Sequence, residues 1–355
     1  RELKKRYKID DDSMVLTYAS KMVSPPKLKT NIPSLDVAFN GGLDYGRFTT
    51  IFGPMATAKS TVCAMLIASA QADGKVATLI DSENRFDPEW ARHLGVDIDE
   101  LLIPELPANV TAEKVLDLYI ALADAGASDL IIIDSISALS PREEVDKTLE
   151  EGSMALTART MSRYFRKVVA TNKKHAVCGV LVGQLRSSME KYATAIEGLT
   201  CGLAIRSHSH YIISTGRKLP QASNFVTKDE GFVLAFNILK APGMEGVRLE
   251  CEFRKNVGID TLVDRVNLLV SNGVIGKDGA SYVLNNTKYR GIRSMTEAVK
   301  ESSVLQSIID TMMNESTLTI GNVLKPVEVV KPDDIDNGLE TLDNNILDSE
   351  LDKVE

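Results

Sequence analysis

Cysteine is scarce in this 355-residue chain: Cys63, Cys178, Cys201 and Cys251 lie far apart, with no CxxC pair and no Cys/His spacing suited to a metal. That excludes a disulfide-stapled scaffold and points to the reduced thiols of a cytoplasmic protein. Long hydrophobic runs are missing too. The apolar stretches, such as those around 130–133 and 232–239, fall well short of the roughly 20 residues of a membrane-spanning helix, so no membrane partner is expected. No apolar stretch follows Arg1-Glu2-Leu3-Lys4-Lys5, so no secretory leader is expected, and the missing initiator Met points to a trimmed chain. Aromatic residues are few, at 5% with one tryptophan, but 44% hydrophobic and 25% charged residues supply an ordinary globular core and exclude wholesale disorder.

A basic excess is also lacking, since the net charge is −8. Residues 331–355 carry −7 of it, with nine acids against two bases, so the rest of the chain is nearly neutral. Nucleic-acid binding therefore stays open. The tail has no aromatics and weak periodicity, and is expected to be disordered. It reads either as a solubilising tail or as an internal competitor that masks a polyanion-binding surface.

The length exceeds one module of about 100–200 residues. Residues 1–26 read as an N-terminal arm closed by the helix-breaking Ser24-Pro25-Pro26, 27–290 as the core, 291–330 as a small C-terminal lobe and 331–355 as the acidic tail. Within the core, short apolar runs at 48–52, 76–80, 130–133 and 178–182 read as strands. Helical patterns lie between them: Val115, Leu118, Tyr119 and Leu122, then Met161, Phe165 and Val168, each mark one buried face. This alternation predicts an α/β fold, a mostly parallel sheet covered by helices. Val247, Leu249, Cys251 and Phe253 alternate with polar residues and suggest an antiparallel extension with one face in water. Val304, Leu305, Ile308, Ile309 and Met312 mark a late amphipathic helix.

The strand at 48–52 runs into Gly53-Pro54-Met55-Ala56-Thr57-Ala58-Lys59-Ser60, and a helix follows Thr61. Strand, glycine-led loop and helix is the context of a phosphate loop, in which backbone N–H groups cradle phosphate, Lys59 reaches the β/γ-phosphates and Ser60 ligates Mg²⁺. Ala58 stands where the usual second glycine would be, and its Cβ is expected to restrict the loop and alter ATP affinity or turnover. The next strands end in carboxylates, Glu83 just past one and Asp134 at the tip of the other, at the edge where such sheets bind ligands. Either acid alone reads equally well as a helix cap. Gln184 ends the fourth strand, placed either to sense γ-phosphate or simply to hold its loop.

Arg159, Arg163, Arg166 and Lys167 share one helix face beside an irregular segment at 147–153, and a second irregular segment spans 185–202. Such a stripe is either solvated surface or, with the two loops, the lining of a channel for single-stranded nucleic acid. His208 and His210 alternate along an expected strand, without the Cys or third His of a metal site.

Together these residues resemble the RecA family of DNA recombinases, bacterial and phage members included, over residues 29–292. The likeness is carried by the loop at 48–60 and by Asp81-Ser82-Glu83-Asn84-Arg85-Phe86-Asp87-Pro88-Glu89-Trp90-Ala91-Arg92. It implies a RecA-like P-loop ATPase core with ATP and Mg²⁺ as cofactors. By the same likeness Glu83 polarises the attacking water, Trp90 stacks on adenine with Asp87 beside its amine, Asp134 is the Mg²⁺-side aspartate, and Gln184 couples γ-phosphate to the second DNA-binding loop. The first DNA loop falls at 147–154 and includes Met154. Arg159 and Arg166 match backbone-contacting positions, Arg186 and Lys191 lie in the second loop, and Gly202 closes it.

Three departures stand out: Ala58 in the phosphate loop, Ser207 in place of an aromatic that links subunits, and Lys240 as the one remaining lysine placed to reach a neighbour's ATP. They suggest a divergent bacterial or phage member. The resemblance implies a DNA-dependent ATPase that forms a helical filament with copies of itself on single-stranded DNA and exchanges strands with homologous duplex. A loader or single-strand-binding partner is left open, as is the host compartment beyond cytoplasm. The rival readings are a RecA-fold ring helicase and a DNA-coating or scaffold protein with weak ATPase activity.

Overall fold

Strands free of charged side chains and buried on both faces must be covered from both sides, and that requirement organises the core. The computed structural model of the chain describes residues 18–107, 110–139, 154–184, 202–221 and 225–319, and at 137, 154–161, 202 and 203 the backbone alone. The antiparallel pair β1 (Lys27–Leu28) and β2 (Leu43–Asp44) brackets α1 (Pro33–Ala38). There follow β3 (Phe48–Gly53), α2 (Lys59–Ala72), β4 (Ala77–Asp81), α3 (Pro88–His93), α4 (Ala112–Asp124), β5 (Leu130–Asp134), α5 (Met154–His175), β6 (Cys178–Gln184), α6 (Gly202–His208) and β7 (Tyr211–Lys218). After them come β8 (Gly231–Lys240), β9 (Val247–Arg254), β10 (Gly258–Ile259) and α7 (Thr261–Ser271). Last are β11 (Gly276–Asp278), β12 (Ser281–Leu284), β13 (Thr287–Arg290), α8 (Gly291–Glu301) and α9 (Ser303–Glu315).

Eight strands form one sheet in the order β10-β9-β8-β7-β3-β6-β5-β4. β4, β5, β6, β3 and β7 run parallel, and β8, β9 and β10 continue the sheet antiparallel. This is the mostly parallel α/β sheet that the alternation of runs predicts. The period-2 pleat divides each central strand between two apolar layers. Ile51, Ile132, Val180 and Val182 face the layer built with Val62, Met65 and Leu66 of α2. Phe48, Phe52, Ile131, Ile133 and Leu181 face the other, with Val115, Leu116 and Tyr119 of α4 and Phe165 and Val168 of α5. Phe48 meets Phe165 and Tyr119 edge-on. A third apolar cluster joins Val266 and Leu269 of α7 to Leu284, Met295, Val299 and Ile309.

Two local expectations are corrected. His208 is the last residue of α6 rather than part of a strand, because Ala204 and Ile205 bury one face of that turn against the layer holding Phe165. Glu252 of β9 does not face water: it is buried and accepts hydrogen bonds from the backbone N–H groups of Phe225 (2.7 Å) and Val226 (2.8 Å). No helix among the described residues is long and apolar enough to cross a membrane.

Candidate active site

Parallel strands release their loops at one edge, so the residues following β3, β4, β5 and β6 converge. The loop after β3 starts at a glycine for a steric reason: a Cβ on Gly53 would lie 2.4 Å from both the carbonyl oxygen and Oγ1 of Thr215 on β7. Thr215 is also the loop's anchor, its hydroxyl 2.7 Å from that of Thr57, which donates to the Pro54 carbonyl at 2.8 Å. Ala56 and Ala58 both take left-handed backbone, at φ 56° and 57°. Ala58 is the N-cap of α2, so the residue that replaces glycine sits where glycine's freedom matters.

The first turn of α2 leaves N–H groups without helical acceptors, directed at the cleft that an anion would fill. The Lys59 ammonium folds back on the loop, donating to the carbonyls of Gly53 (3.1 Å) and Pro54 (2.5 Å). Burial pulls its pKa below the ordinary lysine value, against the opposing pull of the Asp134 carboxylate. Ser60 Oγ donates to Asp134 Oδ2 at 2.8 Å. Burial raises the Asp134 pKa, the Ser60 hydrogen bond opposes this, and Glu83 and Asp81 add to the rise.

Glu83 sits on a turn that Asp81 shapes. The two carboxylate oxygens of Asp81 accept from the backbone N–H of Glu83 at 3.1 Å and from those of Arg85 and Phe86 at 2.8 Å, while Asn84 turns left-handed between them. Glu83 Oε1 accepts from Ser135 Oγ (2.5 Å) and Gln184 Nε2 (2.7 Å), and its Oε2 pairs with the Arg85 guanidinium at 3.0 Å. Ser135 follows a cis peptide bond at Asp134-Ser135 and is tied to the end of β4 by the Ser82 hydroxyl, which accepts from Ser135 N–H and donates to its carbonyl. Asp81, Arg85, Ser135 and Thr215 were not singled out from the sequence as parts of the site. The position of Ser135, directly after a strand-end aspartate, was the one available signal.

At the other end of the cleft Asp87 caps α3, its Oδ1 accepting from Glu89 and Trp90 N–H at 3.0 Å each. Trp90 is half-buried and stacks on His93, and its indole N–H lies 3.4 Å from the Thr61 hydroxyl. The cleft has a volume of about 290 Å³. It runs from Met55, Ala56, Thr57 and Ala58 past Lys59, Ser60 and Thr61 to Trp90 and Asp87, and Glu83, Asp134 and Gln184 also line it. A lysine-bearing loop, the carboxylates of Asp81, Glu83, Asp87 and Asp134 and an aromatic shelf within one cleft make a container for a nucleotide polyphosphate.

The family model for the RecA N-terminal domain matches residues 7–230, more than half of the chain. The chain belongs to the RecA family. Membership supports a recombinase-like function in general, with the ATP and Mg²⁺ use, DNA binding and self-association that go with it. The remaining residues expected in a RecA-type site are placed unevenly. Lys240 ends β8 beside Ile212 at the start of β7, the sheet edge opposite the phosphate loop, and its ammonium donates to the Arg206 carbonyl at 2.9 Å. It takes no part in the cleft of its own subunit. Arg166 is exposed on α5 with Arg163 and Lys167. Met154 and Arg159 lie on the backbone of the same helix, and Gly202 begins α6. Arg186 and Lys191, the segment 147–153, the arm's first 17 residues and the acidic tail lie outside the described residues.

Proposed function

We propose that this RecA-family chain is a DNA-dependent ATPase that assembles as a helical filament on single-stranded DNA, pairs it with homologous duplex and exchanges strands. The observation that carries the proposal is the hydrogen bond from Gln184 Nε2 to Glu83 Oε1, 2.7 Å. Glu83 is the group suited to deprotonate water, and Gln184 is the last residue before the segment 185–201, where the family's second DNA loop falls. One contact thus joins the base to the element that would touch DNA.

In this reading Lys59 leaves the loop carbonyls to hold the β/γ-phosphates. Water attacks the γ-phosphorus, the bond to the β–γ bridging oxygen breaks, and Glu83 takes the proton released by water. The Ser60 hydroxyl and Asp134 carboxylate, 2.8 Å apart, form a hard all-oxygen donor pair that fits Mg²⁺. The ion would supply charge neutralisation on the phosphates. Trp90 offers adenine a stacking face, with Asp87 at its rim. Met154, Arg159, Arg166, Arg186, Lys191 and Gly202 are assigned to the DNA path, whose sequence-independent grip would come from backbone charge neutralisation. Lys240, away from its own cleft, is assigned to the ATP of the neighbouring subunit, and residues 1–26 to packing on that neighbour.

The test is steady-state ATP hydrolysis with and without long single-stranded DNA, with Glu83→Gln as control, followed by strand exchange between homologous circles and linear duplex. DNA-stimulated turnover lost in Glu83→Gln, with exchange by the unsubstituted chain, is the expected result. The left-handed Ala58 favours a second reading, a DNA-coating protein with weak turnover. DNA binding with background hydrolysis would select it.

A further inference from the structure

Glu83 carries one partner more than its proposed chemistry uses. A carboxylate oxygen accepts about two hydrogen bonds, and Oε1 already has two, from Ser135 and Gln184. Only Oε2 is left to take a proton from water, and there the Arg85 guanidinium sits at 3.0 Å. Arg85 is not there by chance of a free side chain. Its own backbone N–H is fixed to Asp81 Oδ2 at 2.8 Å, the left-handed Asn84 turns the chain just before it, and the side chain lines the cleft. The other cation of that cleft, Lys59, is occupied with the carbonyls of the phosphate loop.

We propose that Arg85 is a positioning residue that restrains Glu83: its guanidinium occupies Oε2 in competition with the attacking water, and hydrolysis proceeds from the fraction of protomers in which it has let go. The inference rests on the reading of Glu83 as the base. The exposures suit a latch, because the Arg85 side chain is 66% exposed and that of Glu83 14%. A buried pair would hold the base permanently, whereas an ion pair with one solvated partner is weak and opens readily. Such a pair limits turnover by about fivefold at most, the factor that corresponds to about 1 kcal/mol. Gln184 acts on the opposite oxygen from the DNA side, so the latch works equally with and without DNA. It sets the level of turnover and leaves the ratio of stimulation alone.

The experiment compares the full chain with Arg85→Ala, Arg85→Lys, Glu83→Gln and the Arg85→Ala/Glu83→Gln double variant. It reads kcat and KM for ATP with and without long single-stranded DNA, and Mg-ATP affinity from the fluorescence of Trp90, the only tryptophan. The expected result is that Arg85→Ala raises kcat by about three- to fivefold in both conditions, with KM and Mg-ATP affinity within about twofold. Arg85→Lys retains part of the restraint, and the double variant turns over no faster than Glu83→Gln. A fall in kcat in Arg85→Ala overturns the proposal, because the guanidinium would then serve the phosphates. A change confined to KM, or a rise that survives in the Glu83→Gln background, overturns it too. Loss of turnover in Glu83→Gln with no rise in Arg85→Ala removes the latch and leaves the function standing, whereas undiminished turnover in Glu83→Gln removes both.

Discussion

Gln184 at the end of β6 donates to Glu83 just past the end of β4, a 2.7 Å hydrogen bond that spans β5, the strand between them. Glu83 keeps two further partners, Ser135 and Arg85, so loss of Gln184 leaves the carboxylate in place. Gln184→Ala is expected to bind Mg-ATP within about twofold of the unsubstituted chain and to keep its DNA-independent rate, while DNA stimulation falls by about tenfold, the scale of one hydrogen bond to a charged group. Hydrolysis measured across a DNA titration checks this. Undiminished stimulation would mean that the DNA signal reaches Glu83 by another route.

Ala58 holds φ 57° at the N-cap of α2. A left-handed alanine costs roughly 1–2 kcal/mol over a glycine, of which the greater freedom of glycine in the unfolded chain returns a part. Ala58→Gly should therefore stabilise the protein by about 0.5–1 kcal/mol, read as a raised urea midpoint at unchanged slope. If the strained loop also limits turnover, the same variant hydrolyses ATP faster. A stability gain without a rate change would assign the strain to the fold alone.

Gly53→Ala has the opposite sign. The added Cβ meets the Thr215 carbonyl at 2.4 Å, backbone that no rotamer change can move aside. The variant is expected to lose about 3 kcal/mol or more and to bind Mg-ATP weakly, because the loop must shift away from β7 and take the Thr57–Thr215 contact with it. Thermal unfolding and Trp90 fluorescence measure the two effects. Thr215→Ser in the same background should not rescue either, since the carbonyl remains.

The strands and the convergence of Lys59, Ser60, Glu83, Asp134 and Gln184 were legible because uncharged apolar runs mark buried parallel strands, and each run ends in its polar residue at the same edge. What escaped was set at long range. Alternation placed Glu252 in water, but two backbone N–H groups from a segment about 26 residues earlier come to it and make its burial tolerable. The Ser207-His208-Ser209-His210 alternation read as strand, yet burial of Ala204 and Ile205 closes a helical turn first, and β7 starts at Tyr211. The Arg85–Glu83 pair is two residues apart in sequence, a spacing that does not bring side chains together on a helix and that does so here on the turn Asp81 imposes, a turn set by side-chain hydrogen bonds that no periodicity reveals.

Asp36 on α1 and Asp264 on α7 make the fold sensitive to pH in a direction opposite to that of a salt-bridged carboxylate. Burial pushes both up to about 6, although Thr30 N–H and hydroxyl bond Asp36 and Ser34 N–H bonds Asp264 at 2.8 Å. In the unfolded chain both titrate near 3.8, so between pH 4 and 6 the folded state holds more protons and stability falls as pH rises. The loss is complete above about pH 6 and amounts to at most about 3 kcal/mol per group. Asp264→Asn keeps an oxygen for Ser34 N–H and removes one titration. Its stability relative to the unsubstituted chain should therefore climb from pH 4 to 6 and stay level above that, as urea unfolding at a series of pH values would show. A constant difference across that window would mean that Asp264 ionises in the folded protein as readily as in the unfolded chain.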